Sequence, residues 1–175
     1  MNDKKIFVIL LIIIVSSFFY FLENDFVEEE MVERKNEFTI KGVSMSPMFL
    51  GGEEILVDEN YYKTNEIKRD DLVLFKHSAN ENYLIKIIKA TDEDFLEIKD
   101  KNLIINGEIM KNSVGNIYTF QPNELKMLGL YLKDGYLPKN TIFVFGDNVG
   151  ASKDSRKFGA VPEDYVVGKI IPIIE

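Results

Sequence analysis

The chain has 175 residues, of which 46% are hydrophobic, so it is long enough for one domain with a sizeable core. It contains no cysteine and a single histidine, His77, which excludes disulfides, thiolate chemistry and histidine-rich zinc sites. A net charge of −8, with no cluster of lysine or arginine, argues against nucleic acid as a partner.

The first predicted element is an apolar segment near the N-terminus. Residues 6–22, IFVILLIIIVSSFFYFL, carry no charge and would extend about 26 Å as a helix, which is at the short end of what spans a bilayer. Lys4 and Lys5 precede the segment, and the positive-inside rule keeps them in the cytoplasm while the rest of the chain is exported. We therefore predict residues 1–5 as a cytoplasmic N-terminus and residues 6–22 as the anchor of a single-pass cell-membrane protein.

The alternative to an uncleaved anchor is a secretory signal that is removed. Residues 15–17, Val-Ser-Ser, are small enough for a weak cleavage site, but the apolar run continues past them. A buried core helix agrees poorly with a terminal segment that is so uniformly apolar. The segment that follows, residues 23–37, is acidic and is predicted to connect the anchor to a domain that begins at Phe38.

Beyond Phe38, short runs rich in Ile, Val, Phe and Tyr recur between turn signals, which is typical of β-strands. The runs are FTIKGV, EILVDE, DLVLFKH, YLIKIIKA, FLEIKD, NLIING, TIFVFGD and YVVGKIIPII. EIKDKNLIING predicts a hairpin that turns around residues 100–102, and NELKMLGLYL, whose leucines recur at helical spacing, predicts a short helix. The predicted fold is a mainly β domain over residues 38–175, either a barrel or a sandwich.

One stretch interrupts a predicted strand with glycine, serine and proline: IKGVSMSPMFLGG, residues 40–52. A tight turn of this kind can expose a hydroxyl and point backbone N–H groups at one spot. Ser44 is therefore a candidate nucleophile, and it needs a base, for which a histidine, a carboxylate or a lysine could serve. An ordinary turn that contains Ser and Pro is the alternative interpretation at this point.

Four motifs, in order, resemble those of the bacterial type I signal peptidases, which are serine endopeptidases with a serine–lysine dyad. GVSMSPMFLGG resembles the serine box of that family, and RDDLVLF and NLIING resemble its central strand and its Asn-Gly turn. GDNVGASKDSRKFGAVP, which begins at Gly146, resembles the last box. The resemblance implies a signal-peptidase-like antiparallel β-sheet or barrel catalytic domain on a single N-terminal transmembrane helix. It also implies the cleavage of signal peptides from exported preproteins.

The resemblance implies a lysine base, and the lysine box is where this chain departs furthest from the family. It has LIKIIKATDEDFLEI where relatives have Leu-Ile-Lys-Arg-Ile-Ile-Ala-Leu-Pro-Gly-Asp-Thr-Val-Glu-Ile. Aligned on Glu97, Lys86 falls on the base and Ile87 replaces the arginine. A register slipped by one would leave Ile85 at that position and would imply another base or an inactive chain. We predict Lys86 as the base, because its apolar neighbours would lower the pKa of its amine.

The last box implies supporting roles for further residues. Ser152 corresponds to the serine that orients the lysine amine. Asp154 and Arg156 correspond to a structural ion pair behind the site. Asp147 corresponds to a carboxylate that pairs with the arginine missing here, and Lys89 is a candidate for the substitute partner.

The resemblance further implies how substrate and transition state are held. The backbone N–H of Ser44 would hold the oxyanion, since Gly42 stands where some relatives carry a second, side-chain donor. Preprotein signal peptides are expected to bind as extended strands between the strand leading into the nucleophile and the strand carrying the base. Small apolar pockets would select Ala-like residues, and Ile40, Val43 and Ile85 are candidates to line them.

Other features point to no additional chemistry. His77 ends the strand before the lysine box; endoplasmic-reticulum relatives use a histidine base, but this position indicates a loop or surface histidine. The acidic run at residues 92–94 lacks the spacing of a calcium loop and is predicted to be a solvated turn. No metal or cofactor is implied, and we expect a monomer at the lipid bilayer.

Two alternatives stay open: a Ser–Lys peptidase dedicated to a pilin or conjugation substrate, and a non-catalytic membrane-tethered relative that has lost its base.

Overall fold

The computed structural model describes residues 36–77 and 82–171. The predicted anchor, residues 6–22, and nearly all of the acidic segment after it lie outside these ranges, as does the side chain of His77. Within the described ranges, no helix is long and apolar enough to cross a membrane. The prediction of an N-terminal membrane anchor therefore stays a prediction.

The described residues form ten strands and four short helices, so the predicted mainly β domain is confirmed. The strands are β1 (Asn36–Thr39), β2 (Glu54–Asp58), β3 (Leu72–His77), β4 (Asn82–Ala90), β5 (Leu96–Lys99), β6 (Asn102–Ile105), β7 (Glu108–Ile109), β8 (Thr141–Phe145), β9 (Val161–Pro162) and β10 (Val166–Ile171). The helices are α1 (Tyr61–Thr64), α2 (Pro122–Gly129), α3 (Ser155–Phe158) and a 3-10 turn (Glu163–Tyr165).

The larger sheet has seven antiparallel strands in the order β1-β2-β10-β3-β4-β8-β9. Three strands separate β1 from β4, a distance of about 19 Å in a flat sheet at the usual strand spacing. The ring centroids of Phe38 in β1 and Tyr83 in β4 are nevertheless only 6.2 Å apart. The sheet therefore curls back on itself and brings β1 opposite β4.

Strand β4 has an edge that is only partly paired. It pairs with β3 from Asn82 to Ile87, but it pairs with β8 only from Ile87 to Ala90. Among the described strands, none therefore pairs with one edge of the first half of β4, and this half contains Lys86. A cleft lies along that edge, lined by residues of both β1 and β4.

The smaller sheet, β5-β6-β7, carries the predicted hairpin. Its strands β5 and β6 are joined at Asp100 and Lys101, which both adopt left-handed backbone angles, with φ of 51° and 64°. The predicted short helix is α2, which begins at Pro122, where the missing N–H of proline is tolerated. Its Leu128 is fully buried in the core cluster that lies under this sheet.

The acidic turn after β4 differs from its prediction at one residue. Asp94 is only 7% exposed, so the expectation that it is solvated is wrong. Its carboxylate accepts hydrogen bonds from Thr91 N at 2.8 Å and from Asn106 Nδ2 at 2.7 Å. The buried carboxylate of Asp94 thus links the end of β4 to the turn between β6 and β7.

Candidate active site

Ser44 lies in a loop that begins after β1 and packs its apolar side chains inward. Met45 is 2% exposed and Phe49 is 9% exposed, and both belong to the core cluster that also contains Ile40. Gly42 has φ of +85°, a left-handed angle that glycine adopts without steric cost. Burial of the residues around it leaves Ser44 half-buried on the wall of the cleft.

Lys86 of β4 contacts Ser44 directly. Its Nζ donates to Ser44 Oγ at 2.9 Å and to the carbonyl oxygen of Ile85 at 2.7 Å. The residue is 1% exposed, and this burial lowers the pKa of the amine to about 8, although the negative charge of Asp154 opposes the shift. At pH 7 about one Lys86 in ten is then neutral, against about one in three thousand for an ordinary lysine. The structure thus brings the predicted nucleophile and the predicted base together.

The cleft beside this pair has a volume of about 420 Å³. Ile40 and Ile85 line it, as predicted, and so does Tyr83. Val43 does not line the cleft: it is 60% exposed, and its carbonyl faces Asn148 Nδ2 at 3.1 Å. Asn148 thus holds the backbone of Val43 while the side chain is exposed.

The predicted ion pair between Asp154 and Arg156 is present and buried. Arg156 Nε and Nη2 each donate to the carboxylate at 2.8 Å, and Arg156 Nη1 donates to the Val149 carbonyl at 2.6 Å. The guanidinium also lies 5.7 Å from the ring centroid of Tyr118. Asp154 accepts from Gly146 N at 3.1 Å, so the pair supports the backbone behind the site.

Ser152 lies near the site without the hydrogen bond that was expected. Among the described residues its buried Oγ has no hydrogen-bond partner, and Lys86 Nζ donates to Ser44 Oγ and to the Ile85 carbonyl. Gly146 permits its approach: a Cβ at that position would lie 2.2 Å from Ser152 Oγ and 2.4 Å from the Ser44 carbonyl oxygen. The hydroxyl therefore stands beside the Ser44 loop and not against the amine.

Asp147 has different partners from the one predicted. It is fully buried, and its carboxylate accepts from Ser113 N at 2.8 Å, Ser113 Oγ at 2.6 Å and Met48 N at 3.2 Å. Lys89 instead pairs with Asp70 at 2.7 Å, so the prediction that Lys89 is the substitute partner is wrong. The amine of Lys89 contacts the carboxylate of Asp70 in the turn before β3, whereas Ser113 and Met48 supply the donors to Asp147.

Two residues that sequence reasoning did not select also hold the site. Asn148 N donates to the Ser44 carbonyl at 3.0 Å, and Tyr118 OH donates to the Gly146 carbonyl at 2.8 Å. Asn148 belongs to the Gly-Asp-Asn run, so its motif was a signal for it. No signal in the sequence pointed to Tyr118 or to Ser113.

The Ser44 backbone N–H has no acceptor within residues 36–77 and 82–171. It lies beside the contact between Ser44 Oγ and Lys86 Nζ, so it can donate to a negative charge that develops there. A nucleophile, a partly neutral amine and an unpaired backbone donor therefore meet at one wall of the cleft. Such a site can carry out acyl transfer.

Comparisons with known proteins identify the family of the chain. The model of the family described as signal peptidase, peptidase S26, matches residues 4–174. Signal peptidase IB of Staphylococcus aureus is 34% identical over 144 residues, which are 76% of this chain and 74% of that protein. Signal peptidase I V of Bacillus subtilis is 32% identical over 139 residues, which are 77% of this chain and 82% of that protein.

A crystal structure of a signal peptidase I from Enterococcus faecalis V583 is also similar, with a TM-score of 0.47 at 24% identity, over 60% of this chain and 97% of that one. The family match covers nearly the whole chain and the curated relatives cover three quarters of it. The chain therefore belongs to the signal peptidase family, peptidase S26, and is a serine endopeptidase of the signal peptidase I type.

Proposed function

We propose that this protein is a membrane-anchored endopeptidase that removes N-terminal signal peptides from exported preproteins, with Ser44 as nucleophile and Lys86 as general base. The observation that carries the proposal is the 2.9 Å contact between Lys86 Nζ and Ser44 Oγ, made by a lysine that is 1% exposed. Such a contact is not expected of a relative that has lost its base. The names of the related proteins support signal peptides as the substrate class.

Acylation requires the neutral form of Lys86. Its Nζ takes the proton from Ser44 Oγ while Oγ bonds to the scissile carbonyl carbon. The charge that develops on the carbonyl oxygen is stabilised by the backbone N–H of Ser44. Lys86 then delivers its proton to the leaving amine as the C–N bond breaks, and the acyl group remains on Ser44 as an ester.

Deacylation repeats the proton transfers with water. Lys86, neutral again, takes a proton from a water molecule whose oxygen attacks the ester carbonyl. The tetrahedral intermediate collapses, the Ser44 alkoxide recovers its proton from Lys86, and the new carboxyl terminus of the signal peptide leaves. Side chains of the protein supply every proton transfer in this scheme, so no metal or organic cofactor enters it.

The substrate is proposed to bind as an extended strand between β1 and the free edge of β4. The unpaired first half of β4 offers backbone hydrogen bonds along one side of the cleft, which is the requirement for β-strand addition. Ile40 and Ile85 present apolar walls that would accept small side chains and exclude large or charged ones. This selection agrees with Ala-like residues near the cleaved bond.

The proposed location follows from the sequence outside the described residues. The apolar segment at residues 6–22, with Lys4 and Lys5 before it, would hold the chain in the cell membrane with its N-terminus in the cytoplasm. The catalytic domain would then lie on the other side, where signal peptides emerge. We propose a monomer, because one chain supplies both Ser44 and Lys86.

The test is cleavage of one labelled preprotein by the full-length protein in detergent micelles. Wild type should release the mature protein, whereas Ser44→Ala and Lys86→Ala should not. Lys89→Ala is the matched control, because this lysine lies on the same strand but pairs with Asp70, away from the cleft. Absence of cleavage by folded wild type, or persistent cleavage by Ser44→Ala, would overturn the proposal.

A further inference from the structure

The loop that carries Ser44 is held from one side by two consecutive residues. Asn148 N donates to the Ser44 carbonyl at 3.0 Å, and Asn148 Nδ2 donates to the Val43 carbonyl at 3.1 Å. Asp147 Oδ2 accepts from Met48 N at 3.2 Å, at the other end of the same loop. The position of Ser44 therefore depends on how firmly Asp147 and Asn148 are themselves held.

Asp147 is fully buried, and a buried carboxylate is costly unless hydrogen bonds or a cation replace its water. Across the described part of the chain, no lysine or arginine pairs with it. Its donors are all neutral: Met48 N, Ser113 N and Ser113 Oγ. Ser113 supplies two of these three bonds, including the shortest, at 2.6 Å.

The turn that presents Ser113 is organised around Asn112. The side-chain oxygen of Asn112 accepts from Val114 N at 3.2 Å and from Asn116 N at 2.8 Å. Its side-chain nitrogen donates to the backbone carbonyl of Asp147 at 3.0 Å. The turn is therefore fastened to Asp147 at both the backbone and the carboxylate, and it acts as one unit.

We propose that Ser113 is a positioning residue for the reaction: through Asp147 it fixes the loop that holds Ser44 Oγ against Lys86 Nζ. The inference deepens the proposed function and rests on it. Without the hydroxyl, Asp147 keeps only two backbone donors, and the carboxylate can turn away from Met48 N toward water. The loop is then held by Asn148 alone and gains freedom at Met48, four residues after Ser44, so the distance between Oγ and Nζ is set less tightly.

The proposal predicts which kinetic constant changes. Ile40 and Ile85 line the cleft, and neither takes part in the hydrogen bonds between Ser113 and Asp147. Substrate binding should therefore be unaffected by a change at Ser113. A misplacement of 1 Å can cost about a hundredfold in rate, and loss of one of three bonds should cost about tenfold in kcat with little change in KM. The pH midpoint of the reaction should not move, because burial, Asp154 and Arg156, which set the pKa of Lys86, are not altered.

The experiment compares full-length wild type, Ser113→Ala, Ser113→Thr and Val114→Ala in detergent micelles. Threonine keeps the hydroxyl, and its extra methyl has room because Ser113 is exposed. Val114→Ala alters the same turn at a side chain that is 61% exposed and does not touch Asp147. Two rates are measured per titrated active site: preprotein cleavage, and labelling of Ser44 by a serine-directed acylating inhibitor.

Support requires that Ser113→Ala lowers both rates about tenfold at unchanged KM and pH midpoint, while Ser113→Thr and Val114→Ala stay near wild type. Rates of Ser113→Ala within twofold of wild type overturn the inference, as does an equal loss in Ser113→Thr or in Val114→Ala. Wild type that is labelled at Ser44 but cuts no preprotein refutes the proposed function alone, and the labelling rates then decide the inference. Wild type that does neither overturns both.

Discussion

Replacing Lys86 by methionine should stabilise the folded protein at neutral pH while abolishing turnover. Burial lowers the pKa of this amine from 10.5 to about 8. Each unit corresponds to 1.36 kcal/mol, so carrying the proton in the folded state costs about 3 kcal/mol. Methionine has a similar length and no charge to desolvate, so it removes this cost, although it also forfeits the hydrogen bonds to Ser44 and to the Ile85 carbonyl.

The pH dependence separates the proton from those lost hydrogen bonds. Below about pH 8 Lys86 is protonated in both folded and unfolded protein, and the full penalty applies. Between pH 8 and 10.5 the unfolded state binds more protons than the folded state, so the stability of wild type rises with pH. The advantage of Lys86→Met should therefore shrink by about 3 kcal/mol over that interval.

The measurement is urea unfolding of the full-length proteins in detergent, at several values of pH from 7 to 10.5. The chain has no tryptophan, so far-UV circular dichroism is the suitable probe. Lys126→Met, at an exposed position of α2, controls for the loss of a lysine as such. A stability difference between wild type and Lys86→Met that stays constant with pH would refute the argument that burying the protonated amine destabilises the folded protein.

Three further outcomes are expected. The kcat/KM of wild type should rise with pH to a plateau with its midpoint near 8, because protonated Lys86 cannot accept a proton, and Lys86→Arg should show no turnover at any pH in this range. A Gly146→Ala variant should lose at least a hundredfold in kcat and unfold more easily in urea, since its Cβ would lie 2.2 Å from Ser152 Oγ and 2.4 Å from the Ser44 carbonyl oxygen; near-normal activity would show that the loop can move aside. Protease added outside intact spheroplasts should digest the catalytic domain if residues 6–22 are an anchor, and protection of the domain would contradict that topology.

Much of the fold follows from local patterns. Short runs rich in Ile, Val, Phe and Tyr between turn signals predicted a mainly β domain. The hairpin at residues 100–102 was found where the sequence indicated it, and the helix predicted at NELKMLGLYL covers the first part of that run, to Gly129. Such features depend on neighbours a few positions apart, which is why they are readable without a structure. The curl that brings β1 opposite β4 was not predicted, since it depends on strand order and twist.

The candidate site likewise has one part that the sequence predicted and another that only the structure revealed. By itself the sequence determined the motifs that single out Ser44, Lys86 and the ion pair of Asp154 with Arg156. Only the tertiary structure decided which buried groups meet. Asp147 is served by Ser113, 34 positions away, and not by Lys89, because a buried carboxylate takes the donors that chain packing delivers to it. The lowered pKa of Lys86 likewise depends on removing the amine from water, which its apolar neighbours suggested but only burial in the folded domain achieves.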